Sequence, residues 1–180
     1  MHDRPASLIR RYCHPTRQLM RCWRHLLMAA ACTFPAVTRA DPVVVGWIEP
    51  VRIVDASIDV PAKLDTGAEH SSLHAPDLVL EERDGVTWVR FLLRDDRDRQ
   101  AVIDRQVVRF ARIKRHGGEP LYRPVIRLTL CLDGQHREVD VNLVDRSGFD
   151  YPLLVGRSFL RTQFLVDAGQ RQLTVPRCLN

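Results

Sequence analysis

Ala62-Lys63-Leu64-Asp65-Thr66-Gly67-Ala68 is the stretch on which the fold turns. The alternating apolar residues of Ile58 to Leu64 run into Asp-Thr-Gly there, as a strand runs into a tight loop. Each residue type in that loop has a chemical use. A carboxylate can activate water against a carbonyl if a second carboxylate shares its proton. Two carboxylates in contact cannot both ionise cheaply, so one pKa falls and the other rises. The Thr66 hydroxyl can bond across to its counterpart in a second such loop. Gly67 lets backbone approach the carboxylate and takes dihedrals that other residues avoid. Asp, Thr and Gly are also common in plain surface turns, so the tripeptide needs support from the rest of the chain.

Outward from it, the apolar residues fall in short β-rich runs with no long helical stripe. These are Val43 to Ile48, Val51 to Val54, Val86 to Leu93, Val102 to Phe110, Val125 to Leu132, Val139 to Val144, Tyr151 to Val155 and Phe164 to Val166, with Gln172 to Val175 closing the chain. Turn-forming clusters separate them, among them 95–99, His116-Gly117-Gly118-Glu119-Pro120 and Arg146-Ser147-Gly148. Asp133-Gly134 between two β-rich runs is the strongest hairpin signal, since both residues tolerate positive φ. One short helix fits after Gly156, with Ser158 as its cap. Regular strand spacing with almost no helix predicts an all-β barrel or sandwich.

The formal charge of +5 suggests a basic protein, but seven arginines and one acid lie within residues 1–40. The other 140 residues carry 20 basic and 21 acidic groups, which leaves no electrostatic footprint for a phosphate backbone and excludes nucleic acid as a partner. Residues 1–40 read as an export signal. Arg21 and Arg24 precede the apolar run from Leu26 to Val37, and Thr38-Arg39-Ala40 offers small residues for cleavage after Ala40. The run is too short to span a bilayer as a stable anchor. A periplasmic mature domain, 41–180, is the expectation. It keeps two cysteines, Cys131 and Cys178, which an oxidising compartment can pair or the fold can bury as thiols.

The support for the Asp-Thr-Gly loop comes from Leu153-Leu154-Val155-Gly156-Arg157. Aliphatics followed by Gly pack behind such a loop in pepsin-like folds. With these elements the chain resembles the bacterial retropepsin-like proteins often labelled "ATP-dependent zinc proteases". The resemblance covers nearly all of 44–175. Its carriers are Gly46-Trp47-Ile48-Glu49-Pro50-Val51, the 62–68 stretch with Ser71-Ser72-Leu73-His74-Ala75, Val102-Ile103-Asp104-Arg105, Arg123-Pro124-Val125-Ile126, and Tyr151 to Arg157 running on to Phe164-Leu165-Val166-Asp167. It implies a retropepsin-like (acid protease) closed β-barrel with at most one short helix, and an aspartic mechanism. Asp65, Thr66 and Gly67 are then the catalytic residues. Relatives of this family are associated with enzymes that add glutamate to proteins or peptides, which implies a peptide or amino-acid-conjugated protein as substrate.

Only one Asp-Thr-Gly is present; Asp167-Ala168-Gly169 lacks the hydroxyl and follows an apolar run as a strand end does. A working site therefore needs a second subunit, which predicts a C2 homodimer. The substrate-binding candidates are Ala68 and a flap at His116-Gly117-Gly118, whose glycines permit a mobile tip; the 95–99 turn is the rival tip. Glu69 and Arg157 adjoin the two halves of the site and could pair across it. His70 and His74 have metal-ligand spacing for a helix, but no glutamate lies between them. No phosphate-binding loop is present, and the mature chain has only Lys63 and Lys114 as lysines. Neither a metal nor another cofactor is expected, and no Cys/His cluster shows in the sequence. The competing class is a non-catalytic retropepsin-like module that binds a peptide or docks on an inner-membrane partner.

Overall fold

The computed structural model describes residues 41–114, 118–175 and 177–178. The export signal expected in 1–40 lies outside them. Among the described residues no helix is long and apolar enough to cross a membrane.

Twelve strands are described: β1 Val43–Gly46, β2 Ile48–Ile53, β3 Ile58–Leu64, β4 Ser71–His74, β5 Val79–Arg83, β6 Val86–Arg94, β7 Gln100–Gln106, β8 Arg109–Ile113, β9 Leu121–Leu132, β10 Gln135–Val144, β11 Leu153–Val155 and β12 Phe164–Asp167. One 3-10 turn, Val54–Ala56, links β2 to β3, and one single-turn helix, α1 Arg157–Leu160, follows β11. Six strands close a barrel in the order β10-β4-β11-β3-β2-β9, with β9 pairing back onto β10. The expected retropepsin-like, all-β closed barrel with one short helix is what the chain forms. Period-two patterning builds it: Ile58, Val60, Ala62 and Leu64 of β3 all point into one core, with Lys63 outside. Of these, Ile58, Val60 and Leu64 each contribute about 1.5–3 kcal/mol when fully buried.

A three-stranded meander, β5-β6-β7, adds Val89, Phe91, Leu93 and Ile103 to the same core. Two Asp-Gly turns shape the hairpins. Asp133 and Gly134 both have positive φ between β9 and β10, as expected, and Asp84-Gly85 does the same between β5 and β6.

Several expectations need correction. The run Val102 to Phe110 is two strands. Val107 N–H bonds to Thr87 on the meander while Val108 N–H bonds to Val125 on the barrel, so the chain changes sheet between two adjacent valines. Gln172 to Val175 is not a strand, because side-chain and backbone acceptors of β2 take its N–H groups one by one. Ser158 does not cap α1. Gly156 occupies that position, and the buried Ser158 hydroxyl has no hydrogen-bond partner among the described residues. β4 escaped because two serines open it and leave Leu73 as its one large apolar residue, although the strand is buried on both faces. It lies between β10 and β11, and Ser71 and Ser72 are buried there by pairing on both sides.

Candidate active site

β3 carries the chain straight to Asp65, whose N–H bonds to Val155 O at 2.9 Å. β11 runs parallel to β3, with Leu153, Leu154 and Val155 opposite Ala62, Lys63 and Leu64. The two short motifs therefore lie side by side, as their order in the sequence suggested. A turn closes from Ala68 N–H to Asp65 O, and Gly67 N–H donates to Asp65 Oδ1 at 2.9 Å. That last bond fixes the carboxylate over its own loop. A Cβ on Gly67 would stand 3.1 Å from the same oxygen, so close approach, not unusual dihedrals, selects glycine. Positive φ among the described glycines belongs to Gly85 and Gly134. Asp65 and Ala68 are half-buried and Thr66 is exposed.

Behind the loop, Gly156 is held to glycine by sterics. A Cβ there would come within 2.7 Å of the His70 backbone carbonyl group. Arg157 N–H and Ser158 N–H donate to the carbonyls of Ala68 and Glu69. The Arg157 side chain donates to Thr66 O at 2.8 Å and to Glu69 Oε2 at 3.0 Å, and Arg161 holds the other Glu69 oxygen. The expected Glu69–Arg157 pair thus forms, with a second arginine that the sequence did not reveal. Partial burial pushes the Glu69 carboxyl up, but Arg161 and Arg157 outweigh it and hold the group below the usual carboxylate range. Phe159, fully buried, stacks on Phe164 with ring centroids 5.6 Å apart and anchors α1.

Asp167-Ala168-Gly169 repeats the local geometry, with Gly169 N–H donating to Asp167 Oδ1 at 2.8 Å. It does so at the end of β12, which pairs with β1 in a two-stranded sheet separate from the barrel, and not at the end of a barrel strand.

The two hairpins considered for a flap differ. β8 and β9 form one, with Ile113 opposite Leu121 as the last pair. His116 and Gly117 lie outside the described residues, and Gly118 is exposed. In the rival, the Asp95 side chain accepts from Arg97 N–H, Arg99 N–H and Arg99 Nε, which fastens the 95–99 turn. Beside the β8–β9 hairpin lies a groove of about 440 Å³ lined by Leu80, Phe110, Tyr122, Arg123 and Asp145, among others.

The two histidines do not form a ligand pair. β4 is extended, which sets positions four apart at about 13 Å. His74 Nδ1 accepts Arg146 N–H at 2.9 Å, and His70 is exposed. Instead, folding brings His136 to Cys131 and Cys178, a Cys/His grouping invisible in the sequence because its members come from two strands and the C-terminal segment. The two cysteines form a disulfide, with Cα atoms 6.1 Å apart.

The residue most underrated by sequence is Glu49. Fully buried, it accepts from Gly46 N–H (2.6 Å), Leu173 N–H (2.9 Å), Thr174 N–H (3.0 Å) and Thr174 Oγ1 (2.7 Å). A glutamate inside an apolar strand pattern was the available signal.

Residues 44–177 match the family described as "Retropepsin-like aspartic endopeptidase RimB". The chain belongs to this RimB-like family. A solved structure of a Legionella pneumophila protein of unknown function matches with TM-score 0.62 and 30% identity, over 74% of this chain and 98% of that one. Among curated proteins, a "Probable alpha-L-glutamate ligase" of Shewanella pealeana is 33% identical over 114 residues, and one of Desulfotalea psychrophila is 32% identical over 111. These cover 62% and 60% of this chain. The RimB-like chain spans about a quarter of the length of those relatives.

Proposed function

We propose that this chain is one subunit of an exported, homodimeric aspartic peptidase, with Asp65 of each subunit sharing one proton across the dimer axis. The observation that carries the reading is the Asp65 loop itself. The carboxylate is oriented by Gly67 N–H, its backbone is tied to β11, and it stands half-exposed at the surface of a single chain. One carboxylate so placed supplies half of an acid–base pair.

In the dimer the ionised Asp65 takes a proton from water as that water attacks the scissile carbonyl. The protonated Asp65 of the other subunit donates to the carbonyl oxygen; as the tetrahedral species collapses, the first Asp65 passes the water's proton to the leaving nitrogen and the second takes the hydroxyl proton back. Thr66, exposed beside the axis, bonds the two loops together. Ala68 and the flap residues His116, Gly117 and Gly118 hold the substrate backbone. The ligase names of the relatives, together with the family, point to a glutamyl peptide or conjugate as substrate, with no metal or other cofactor taking part.

The surface that would meet the second subunit is the β1–β12 pair. Val44 and Leu165 stand opposite each other there, 54% and 56% exposed, an apolar patch of the kind partners cover. The experiment is Asp65→Asn, assayed on glutamyl peptides with sedimentation to follow assembly. Turnover should vanish while the dimer and fold persist. An active Asp65→Asn protein, or an active monomer, sinks the proposal. A wild type that binds such peptides without cutting them would point to the non-catalytic module instead.

A further inference from the structure

The Cys131, His136 and Cys178 grouping has no part in the reaction above. Cys131 on β9 and His136 on β10 are direct partners across the Asp133-Gly134 hairpin, which places both side chains on one face. Cys178 arrives from the C-terminal segment, whose Arg177 carbonyl packs against the turn, 3.8 Å from where a Cβ on Gly134 would stand. Their ligand atoms all lie within 4.8 Å of one another. Both cysteines are buried and His136 is exposed.

We propose that opening the Cys131–Cys178 disulfide turns this corner of the barrel into a zinc site, with the two thiolates and the His136 imidazole as ligands and a fourth position open to water. A dithiol reductant supplies two electrons and two protons. The S–S bond breaks, two thiols form, and the reductant leaves as its own disulfide. Zinc then binds both sulfurs and displaces their protons to solvent.

The geometry asks for little movement. Zn–S of about 2.3 Å and Zn–N of about 2.0–2.1 Å place tetrahedral ligand atoms roughly 3.3–3.8 Å apart. Three atoms already within 4.8 Å reach that arrangement once the sulfurs separate. Cys178 can give, because it lies beyond Thr174, where the Glu49 clasp ends. It stays oriented meanwhile, because Arg52 Nη1 donates to its carbonyl at 2.8 Å. The Arg52 charge does not oppose a cation, since its guanidinium is paired with Asp59 at 2.7 Å. Two thiolates and an imidazole select a borderline-soft ion such as zinc over magnesium or calcium. Exposed His136 marks the entry side. The consequence is that the C-terminal segment remains pinned to the barrel in both states, by a covalent bond when oxidised and by metal when reduced.

The test uses the full chain, oxidised or reduced with a phosphine, titrated with zinc alone against a chromogenic chelator. The reduced protein should take up one zinc that the oxidised protein refuses. Loss of even an outer-shell partner weakens a metal site roughly 10–100-fold, so His136→Ala should weaken it at least as much. That position is exposed, and the variant keeps its disulfide and fold when oxidised. Cobalt in place of zinc should show a thiolate charge-transfer band that Cys178→Ser weakens by about half or more. Uptake that does not depend on reduction overturns the proposal. So does uptake that His136→Ala leaves unchanged, which would show that the imidazole is no ligand.

Discussion

Arg157 reaches back from α1 to Glu69, with Nη2 3.0 Å from the carboxylate, while its Nη1 bonds Thr66 O at 2.8 Å. One planar guanidinium thus clamps both sides of the loop that carries Asp65. The pair is exposed, so its Coulomb energy is screened and adds little to stability. Its value is positional.

Arg157→Lys should therefore be nearly as damaging as Arg157→Ala, because an ammonium cannot span both acceptors in a fixed fork. A misplacement of about 1 Å at a reacting group can cost roughly 100-fold. We expect a loss of that order in kcat, with KM and the urea midpoint little changed. A lysine variant with wild-type kcat would show that charge alone suffices.

Gly156→Ala probes the other face of the same loop. Its Cβ would stand 2.7 Å from His70 backbone atoms, and backbone cannot swing aside as a side-chain tip can. Overpacking of this kind costs about 1–3 kcal/mol, read as a lower urea midpoint. Gly67→Ala, by contrast, meets only the Asp65 carboxylate. It should spare stability and lower turnover by displacing that oxygen.

Much of this site was legible because it is built from local signals. Asp65-Thr66-Gly67 ends a strand of plain period-two pattern and Gly156-Arg157 follows a short aliphatic run, and parallel pairing of β3 and β11 brings their ends together. Side-chain reach was partly legible: the Glu69–Arg157 pair followed from adjacency, but Arg161 needed the turn of α1 to bring it round. Apart from β5, an exposed edge strand without apolar alternation, what escaped shares one cause. β4 is buried by neighbours on both edges despite its serines, and 172–175 is held by Glu49 and not by a ladder. In both, partners distant in sequence override local preference. Cys131, His136 and Cys178 meet for the same reason.

Glu49 gives the next prediction. Its two oxygens accept four bonds, three of them from backbone N–H groups. Glutamine would replace one acceptor with a donor facing donors. Each buried donor left unsatisfied costs about 1–3 kcal/mol, so Glu49→Gln should lower stability by roughly 2–5 kcal/mol. The C-terminal segment should also exchange its amide protons faster, with the 172–174 amides affected first.

The acid limb of stability follows from carboxylates held low by arginine. The Arg52 side chain, bonded to Asp59 through Nε and Nη2, holds the Asp59 carboxyl below its usual range against the opposing effect of burial. Arg83 and Arg90 do the same to Asp104. A carboxyl whose pKa is lower folded than unfolded binds fewer protons in the native state. Its stabilisation is complete above the unfolded value, about pH 4, and is lost as pH falls through the lower folded value. The urea midpoint should therefore hold steady from neutrality to about pH 5 and decline steadily below about pH 4. Asp59→Asn should lower the plateau and flatten that decline, because the variant has one fewer proton to take up on unfolding. An Asp59→Asn protein with an unchanged acid slope would show that the Arg52 pair contributes nothing to it. Arg52 also bonds Cys178 O, so Arg52→Lys separates the two roles: it keeps a charge for Asp59 but gives up the fork that reaches both.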